Sequence, residues 1–509
     1  MNVGEWTTKW AELYPDEPWV KCGDQIFTRR EFNRRVNQTA RALQSLKITK
    51  GDRIAGLLAN GHEFLEILFA CSKIGAVMVP LNFRLAPPEL GYILRDCEPR
   101  ILFYSPEFLS AVETLRGRAP SVCDFICERA GGCKEDREFG SWTGSFPGEE
   151  PEVQDEITLE DSQFIMYTSG TTGKPKGAVL THGNTQWNGV NAVVLYGFTK
   201  EDVSLTAAPL FHIGGLSASA TPQLYVGGRL VIQRFFNPAE TLKLIGKEKI
   251  NTMFGIPIMF QFMALVPEFA TTDFSSVKFF IAGGAPCPKS LIEIYFKKGV
   301  VFNQGYGLTE TAPAVTALRS EEADRKLGSA GKPLFHVNVR ILDDQDRNLP
   351  RGELGEVAIQ GPNVFKEYWR LPEETARAKK GGWFHTGDIG YLDEEGYLWL
   401  VDRKKDMYIS GGENVYPAEV EDVIYKMPQV GEVGVVGMED ARWGEVGLAV
   451  VVPKKGASLT EEEVREYCRD KLAKYKIPKK IVFAEALPRN ATGKVLKKEL
   501  RAKYLGKSQ

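Results

Sequence analysis

Two rhythms alternate along the first part of the chain. Short runs of β-branched and aliphatic residues read as buried strands, and between them apolar residues recur every three or four positions, as on the buried stripe of a helix. Residues 52–58 (DRIAGLL) predict a strand, 62–73 a helix and 76–80 (AVMVP) a further strand. The rhythm returns with a strand at 228–233, a helix at 238–247, and strands at 252–255 and 278–282. Helices set between fully apolar strands predict an α/β architecture with largely parallel sheets.

From about residue 331 the texture changes. Residues 337–342, 355–360 and 397–401 predict strands of a more antiparallel, β-rich region, with the acidic turn 393–396 between them. Beyond the charged run 402–406 (DRKKD) the pattern becomes a small α+β unit. It holds a helix at 417–426, strands at 433–437 and 448–452, and a helix at 460–472. A chain of 509 residues exceeds what one hydrophobic core usually serves. The expected organisation is therefore a large N-terminal α/β domain over 1–401, whose β-rich part begins near 331, a linker at 402–406 and a small C-terminal domain over 407–509.

Composition narrows the function classes. Hydrophobic residues at 43% and charged residues at 26% are ordinary for a soluble globular protein, and a net charge of −2 supplies no overall field for nucleic acid or an anionic membrane. The most apolar stretch, 64–83, is broken by Glu66, Lys73 and Pro80, so no transmembrane helix is expected. Residues 1–17 lack the features of a secretory signal and the chain ends in Lys507-Ser508-Gln509, which is not a peroxisomal address; the expectation is a cytoplasmic protein. Eight cysteines are too dilute for a disulfide scaffold. Cys123, Cys127 and Cys133 lack C-x2-C spacing and a neighbouring His, so they read as core or surface thiols rather than a zinc site.

The densest chemistry lies at Tyr167-Thr168-Ser169-Gly170-Thr171-Thr172-Gly173-Lys174-Pro175-Lys176-Gly177, directly after an apolar strand at 164–167. Glycines let backbone N–H groups converge, hydroxyls donate and lysines supply charge, which suits a loop wrapped around a polyphosphate. The spacing is not that of a Walker A loop: only two residues separate Gly170 from Gly173, and Pro175 follows Lys174.

This segment resembles the phosphate-loop signature of the acyl-adenylate-forming superfamily, which contains acyl-CoA synthetases, luciferases of the firefly type and peptide-synthetase adenylation domains. Further segments resemble that superfamily's motifs, in order. They are Pro209-Leu210-Phe211-His212-Ile213-Gly214-Gly215 for the acyl pocket, Ala282-Gly283-Gly284-Ala285-Pro286 and Asn303-Gln304-Gly305-Tyr306-Gly307-Leu308-Thr309-Glu310 for adenine and magnesium, and Trp383-Phe384-His385-Thr386-Gly387-Asp388 for ribose. Residues 402–421 resemble its hinge and first C-terminal segment, and 488–494 its terminal lysine motif.

The resemblance implies an AMP-forming ligase that uses ATP, Mg²⁺ and coenzyme A, with a mobile C-terminal domain hinged at Lys405. Glu310 offers a hard carboxylate oxygen for Mg²⁺, which bridges phosphate oxygens, and Thr309 adds a phosphate contact. Lys494 bridges acid and α-phosphate in the adenylation transition state. Thr168 joins Lys494, Glu310 and His212 in the implied catalytic set. Asp388 accepts the ribose hydroxyls and Arg403 reaches ribose or α-phosphate. Tyr306 either stacks on adenine or is a buried core residue.

For coenzyme A the implied contacts are Ser410, Gly411, Gly412, Trp443, Lys474 and Lys476. In amino-acid-activating relatives an Asp follows the motif's Phe; here His212 stands there, so the acid has no α-ammonium to satisfy. His212, Gly214, Gly215, Gly283 and Gly307 are the implied acyl-binding set, with the small Gly214 and Gly215 leaving room. The sequence most resembles bacterial medium- and long-chain fatty acyl-CoA synthetases, with aryl or alicyclic acid ligases, or another acceptor, as alternatives. The expected partners are small molecules and not nucleic acid, and the resemblance leaves room for peripheral membrane contact and a homodimer. A P-loop nucleotidase and a non-catalytic ATP sensor are rival readings, opposed respectively by the missing Walker spacing and by the presence of both Glu310 and Lys494.

Overall fold

The structure, a computed structural model of the 509-residue chain, describes all residues except 1, 169–174, 286, 324, 404–405, 411–412, 441, 470, 473, 490–494 and 507–509, and the side chains of 402, 403, 413 and 414. By packing, the chain divides into two compact units. One comprises Met1–Val339 with Ile359–Phe384, the other Arg340–Ala358 with His385–Gln509.

The first unit is built on two large sheets. In the nine-stranded sheet, Phe302–Gly307, Phe279–Gly283, Thr252–Gly255, Val203–Thr206, Arg229–Ile232 and Pro18–Cys22 lie side by side and parallel, with antiparallel strands at both edges. In the eight-stranded sheet, Ser162–Thr168, Val77–Pro80, Arg53–Leu57, Ile101–Tyr104, Asp124–Cys127 and Arg137–Glu138 run parallel. The predicted strand–helix–strand at 52–80 is present as Arg53–Leu57, His62–Ile74 and Val77–Pro80. The helix His62–Ile74 is buried on nearly every side, so Leu65, Leu68 and Phe69 each contribute roughly 1.5–3 kcal/mol of apolar burial. It ends where Gly75 takes φ 73°, a left-handed cap that a side chain would strain.

The second unit contains a four-stranded sheet in the order Asn338–Leu342, Gly355–Gln360, Phe384–Leu392, Leu398–Arg403. This sheet, expected within the larger domain, groups by packing with the C-terminal segment. Its strand Phe384–Leu392 carries too many Gly and polar residues to be read from hydrophobic alternation; cross-strand pairing forms it, with Tyr391 opposite Trp399 and their rings stacked at 6.2 Å. A second sheet is centred on the hairpin Val430–Asp440 and Gly444–Pro453. Both strands run longer than the predicted 433–437 and 448–452, because their polar ends continue the ladder past the buried middle to Asp440 opposite Gly444. The fold is α/β, with a large N-terminal part on mostly parallel sheets and a small C-terminal part.

Candidate active site

The two described ends of the hydroxyl-rich loop meet. Strands Ser162–Thr168 and Lys176–Thr181 pair antiparallel, with Thr168 opposite Lys176; Ser169, Gly170, Thr171, Thr172, Gly173 and Lys174 lie outside the described residues. The hairpin's base is braced from two directions. The Tyr167 hydroxyl donates to Asp96 Oδ2 at 2.5 Å, and the Trp369 backbone N–H donates to the Gly177 carbonyl at 2.7 Å. The Lys176 ammonium lies 2.5 Å from Glu374 Oε2 and 5.4 Å from the centre of the Tyr368 ring. That contact holds the Glu374 carboxyl below its usual range.

Glu310 occupies a 3-10 turn, Thr309–Thr311, and is only 8% exposed. The Tyr368 hydroxyl donates to Glu310 Oε1 at 3.0 Å. Burial, then the Glu310 charge, push the phenol's pKa up and keep it a donor. The backbone around this pair is tightly held. Asn363 Nδ2 donates to the Thr311 and Ala314 carbonyls, each at 2.7 Å, and the Phe365 N–H donates to the Glu310 carbonyl at 2.8 Å. Asn184, in the capping box of the helix His182–Tyr196, donates to the Pro362 and Val364 carbonyls at 2.9 Å.

Among the described residues, no group of three or more His, Cys, Asp or Glu is arranged to hold a metal alone. One hard carboxylate steadied by a phenol fits Mg²⁺ instead, since that ion takes one or two carboxylates and completes its shell with phosphate oxygens and water.

The remaining first-unit candidates cluster at the carboxyl ends of adjacent parallel strands, where open α/β sheets bind ligands. Gly283 lies opposite Gly305 on neighbouring strands, with Gly284 and Ala285 exposed just beyond and Asn303, Gln304, Tyr306 and Gly307 along the partner strand. Asn303 Oδ1 accepts the Ser320 N–H at 3.1 Å. Tyr306 is half-buried in this strand rather than sealed in the core.

His212 precedes the short turn Ile213–Gly215, and its Nδ1 accepts the Gly214 N–H at 3.1 Å, which puts the ring proton on Nε2. The side chain is exposed, and desolvation together with the Arg84 cation lowers its pKa. Phe83 stacks edge-on to Phe211 at 4.9 Å and face-on to Phe108 at 4.8 Å beside it. The expectation that Gly214 and Gly215 leave room is corrected. A Cβ at Gly214 would lie 2.9 Å from Phe254 Cζ, one at Gly283 would lie 3.1 Å from Phe254 Cε2, and one at Gly215 would strike the Pro209 carbonyl. The space is already filled by protein.

In the second unit, Asp388 is buried in Phe384–Leu392 and lies opposite Arg403 in the strand register. Its N–H donates to Thr386 Oγ1 at 3.0 Å, and the Gly387 N–H donates to Glu356 Oε1 at 3.0 Å. Ser410 is buried and pairs with Gly444, which brings it beside Trp443, 39% exposed and covered by the Arg442 guanidinium at 5.2 Å. Lys474 is exposed, whereas Lys476 is engaged at 2.7 Å by both oxygens of Glu419. Lys494, Lys405, Gly411 and Gly412 lie outside the described residues.

Sequence reasoning missed Tyr368, Glu374, Asn363 and Phe254. The only local signal for the first two is an aromatic pair, Tyr368-Trp369, shortly before the acidic helix start Pro372-Glu373-Glu374. Their partners lie 58 and 198 residues away in the chain.

The AMP-binding enzyme family matches residues 7–369, and its C-terminal domain matches 419–494. The chain is 41% identical over 505 residues to a feruloyl-CoA synthase of Amycolatopsis sp, covering 99% of each. It is 41% identical over 508 residues to a long-chain-fatty-acid–CoA ligase of Mycobacterium tuberculosis, covering 99% of this chain and 98% of the other. A solved o-succinylbenzoate coenzyme A synthetase of Bacillus subtilis, in complex with ATP and magnesium ion, superposes with a TM-score of 0.87 at 34% identity, over 98% of this chain and 99% of that one. The chain belongs to the AMP-binding enzyme family, and its enzyme class is that of the AMP-forming acid–thiol ligases. Among the described residues no helix is long and apolar enough to cross a membrane.

Proposed function

We propose that this protein joins an apolar carboxylic acid lacking an α-amine to coenzyme A at the expense of ATP. In the first step a carboxylate oxygen attacks the α-phosphorus and the bond to pyrophosphate breaks, leaving an acyl-adenylate. In the second, the coenzyme A sulfur attacks the acyl carbon, AMP leaves and the thiol proton passes to solvent. The observation that carries this reading is the linkage of Glu310 and Lys176 through Tyr368 at the base of the loop hairpin. It sets one carboxylate at the hydroxyl and one ammonium over the face of a single tyrosine ring, the two charges that a Mg²⁺–polyphosphate needs. Bound at Glu310, Mg²⁺ would neutralise phosphate charge and polarise the phosphoryl oxygens. Lys176 and the loop hydroxyls hold the phosphates, Asp388 and Arg403 hold the ribose, and His212 lines the acyl pocket. Lys494 serves the first step, and rotation of 407–509 about 402–406 brings the coenzyme A contacts into use for the second.

A medium- or long-chain fatty acid is the first reading of the substrate, on the overall likeness of the sequence. An aryl acid is the second. It is favoured by Phe254, whose ring occupies the space at Gly214 and Gly283, and by the Phe83, Phe108 and Phe211 cluster adjoining His212. Coenzyme A-dependent AMP release across straight-chain, aromatic and alicyclic acids tests the proposal. Release of ADP instead, or AMP release without dependence on any acid, refutes it.

A further inference from the structure

We propose that Tyr368 is a positioning residue that couples the metal-binding carboxylate to the phosphate-binding hairpin: its hydroxyl orients Glu310, and the face of its ring carries the Lys176 ammonium. The inference rests on the adenylation reading above and names a residue through which that site is assembled. The geometry is direct, at 3.0 Å from the phenol to Glu310 Oε1 and 5.4 Å from Lys176 Nζ to the ring centre.

Tyr368 has little freedom to do otherwise. Its short strand, Glu367–Tyr368, pairs with Val179 and Ala178 of the hairpin, and its N–H donates to Thr375 Oγ1 at 2.9 Å. The helix Pro372–Ala378, which bears Thr375, also bears Glu374, whose Oε2 lies 2.5 Å from the Lys176 ammonium. A hairpin strand that carries the phosphate lysine and a turn that carries the metal carboxylate are therefore tied to one rigid aromatic ring. A carboxylate has about four lone-pair sites, so a hydrogen bond from a phenol fixes its plane while using only one of them. Groups that orient a metal ligand in this way commonly change metal affinity by roughly 10- to 100-fold when removed.

The test uses the full chain and two binding measurements. Mn²⁺ binding in the presence of α,β-methylene-ATP, followed by the paramagnetic resonance of free Mn²⁺, reads the carboxylate without turnover. Tyr368→Phe removes only the hydroxyl and should weaken Mn²⁺ by about tenfold, while metal-free binding of the analogue, which uses Lys176, is unchanged. Tyr368→Leu should weaken both. Because Tyr368 acts through Glu310, Tyr368→Phe should add no further loss in a Glu310→Gln background. In pyrophosphate exchange, Tyr368→Phe should raise the half-saturating Mg²⁺ and recover the parent rate when Mg²⁺ is in excess. Parent-like Mn²⁺ affinity in Tyr368→Phe, or a fully additive loss in the double variant, overturns the proposal. If the parent binds Mn²⁺ with the analogue but shows no acid-dependent exchange, the functional reading fails and the role of Tyr368 is still measured.

Discussion

Asn363 is fully buried, and its carboxamide donates to the Thr311 and Ala314 carbonyls at 2.7 Å each. The first acceptor ends the turn that presents Glu310 and the second begins the strand Ala314–Leu318 just after it, so a single side chain pins the backbone on which the proposed metal site depends. Asn363→Leu keeps the volume nearly constant and strands both carbonyls in a dry environment. An unmet buried acceptor costs about 1–3 kcal/mol, so the two together cost about 2–6 kcal/mol. Asn363 Oδ1 itself lacks a partner among the described residues, so removing it recovers about 1 kcal/mol. The expected net loss is about 1–5 kcal/mol, falling on the unit that contains Met1–Val339. Asn363→Asp should be worse still, because it turns acceptors towards acceptors and buries a charge. Equilibrium urea unfolding followed by tryptophan fluorescence reads the ordering parent, Leu, Asp. A loss below about 0.5 kcal/mol for Leu, or an Asp variant as stable as Leu, would refute the reasoning.

Three further outcomes are expected. Burial, reinforced by Glu128 and Glu66 and opposed by His62, pushes the Glu63 carboxyl up from 4.5 to about 7. The folded state therefore holds a proton that the unfolded state has lost, and stability should fall by up to about 3 kcal/mol as pH rises through that window; Glu63→Gln should flatten the decline, and parallel urea midpoints from pH 5 to 8 would reject the assignment. His212→Ala should redistribute activity among acids of different shape with little change in apparent ATP affinity; the reverse pattern in steady-state assays assigns His212 to the nucleotide site. Lys405→Pro should leave acid-dependent pyrophosphate exchange near normal and abolish transfer from preformed acyl-adenylate to coenzyme A, since proline would fix φ at the proposed hinge; equal loss of both half-reactions counts against it.

The alternation of buried strands and amphipathic helices was legible in the chain because both patterns are local: Pro238–Lys247 and Thr252–Gly255 begin and end where apolar spacing says they should. The hydroxyl-rich loop, Glu310 and His212 could be named as candidates for a similar reason, since each motif is contiguous and recognisable within about ten residues. Strand Phe384–Leu392 was not, because its stability comes from neighbours on either side rather than from its own hydrophobicity. Nor did the glycines at 214 and 215 disclose what fills the space beside them, because Phe254 reaches it from another part of the fold and the local turn folds the Pro209 carbonyl back onto Gly215. Tyr368 and Glu374 are the sharpest case. In sequence they are one aromatic and one acid in a polar stretch; only the pairing of Glu367–Tyr368 with the hairpin brings them against Lys176 and Glu310. The sequence alone thus named the candidate groups that its contiguous motifs carry, and not Tyr368 or Glu374. Tertiary structure decided how they are oriented, because orientation depends on long-range contacts that no local pattern encodes.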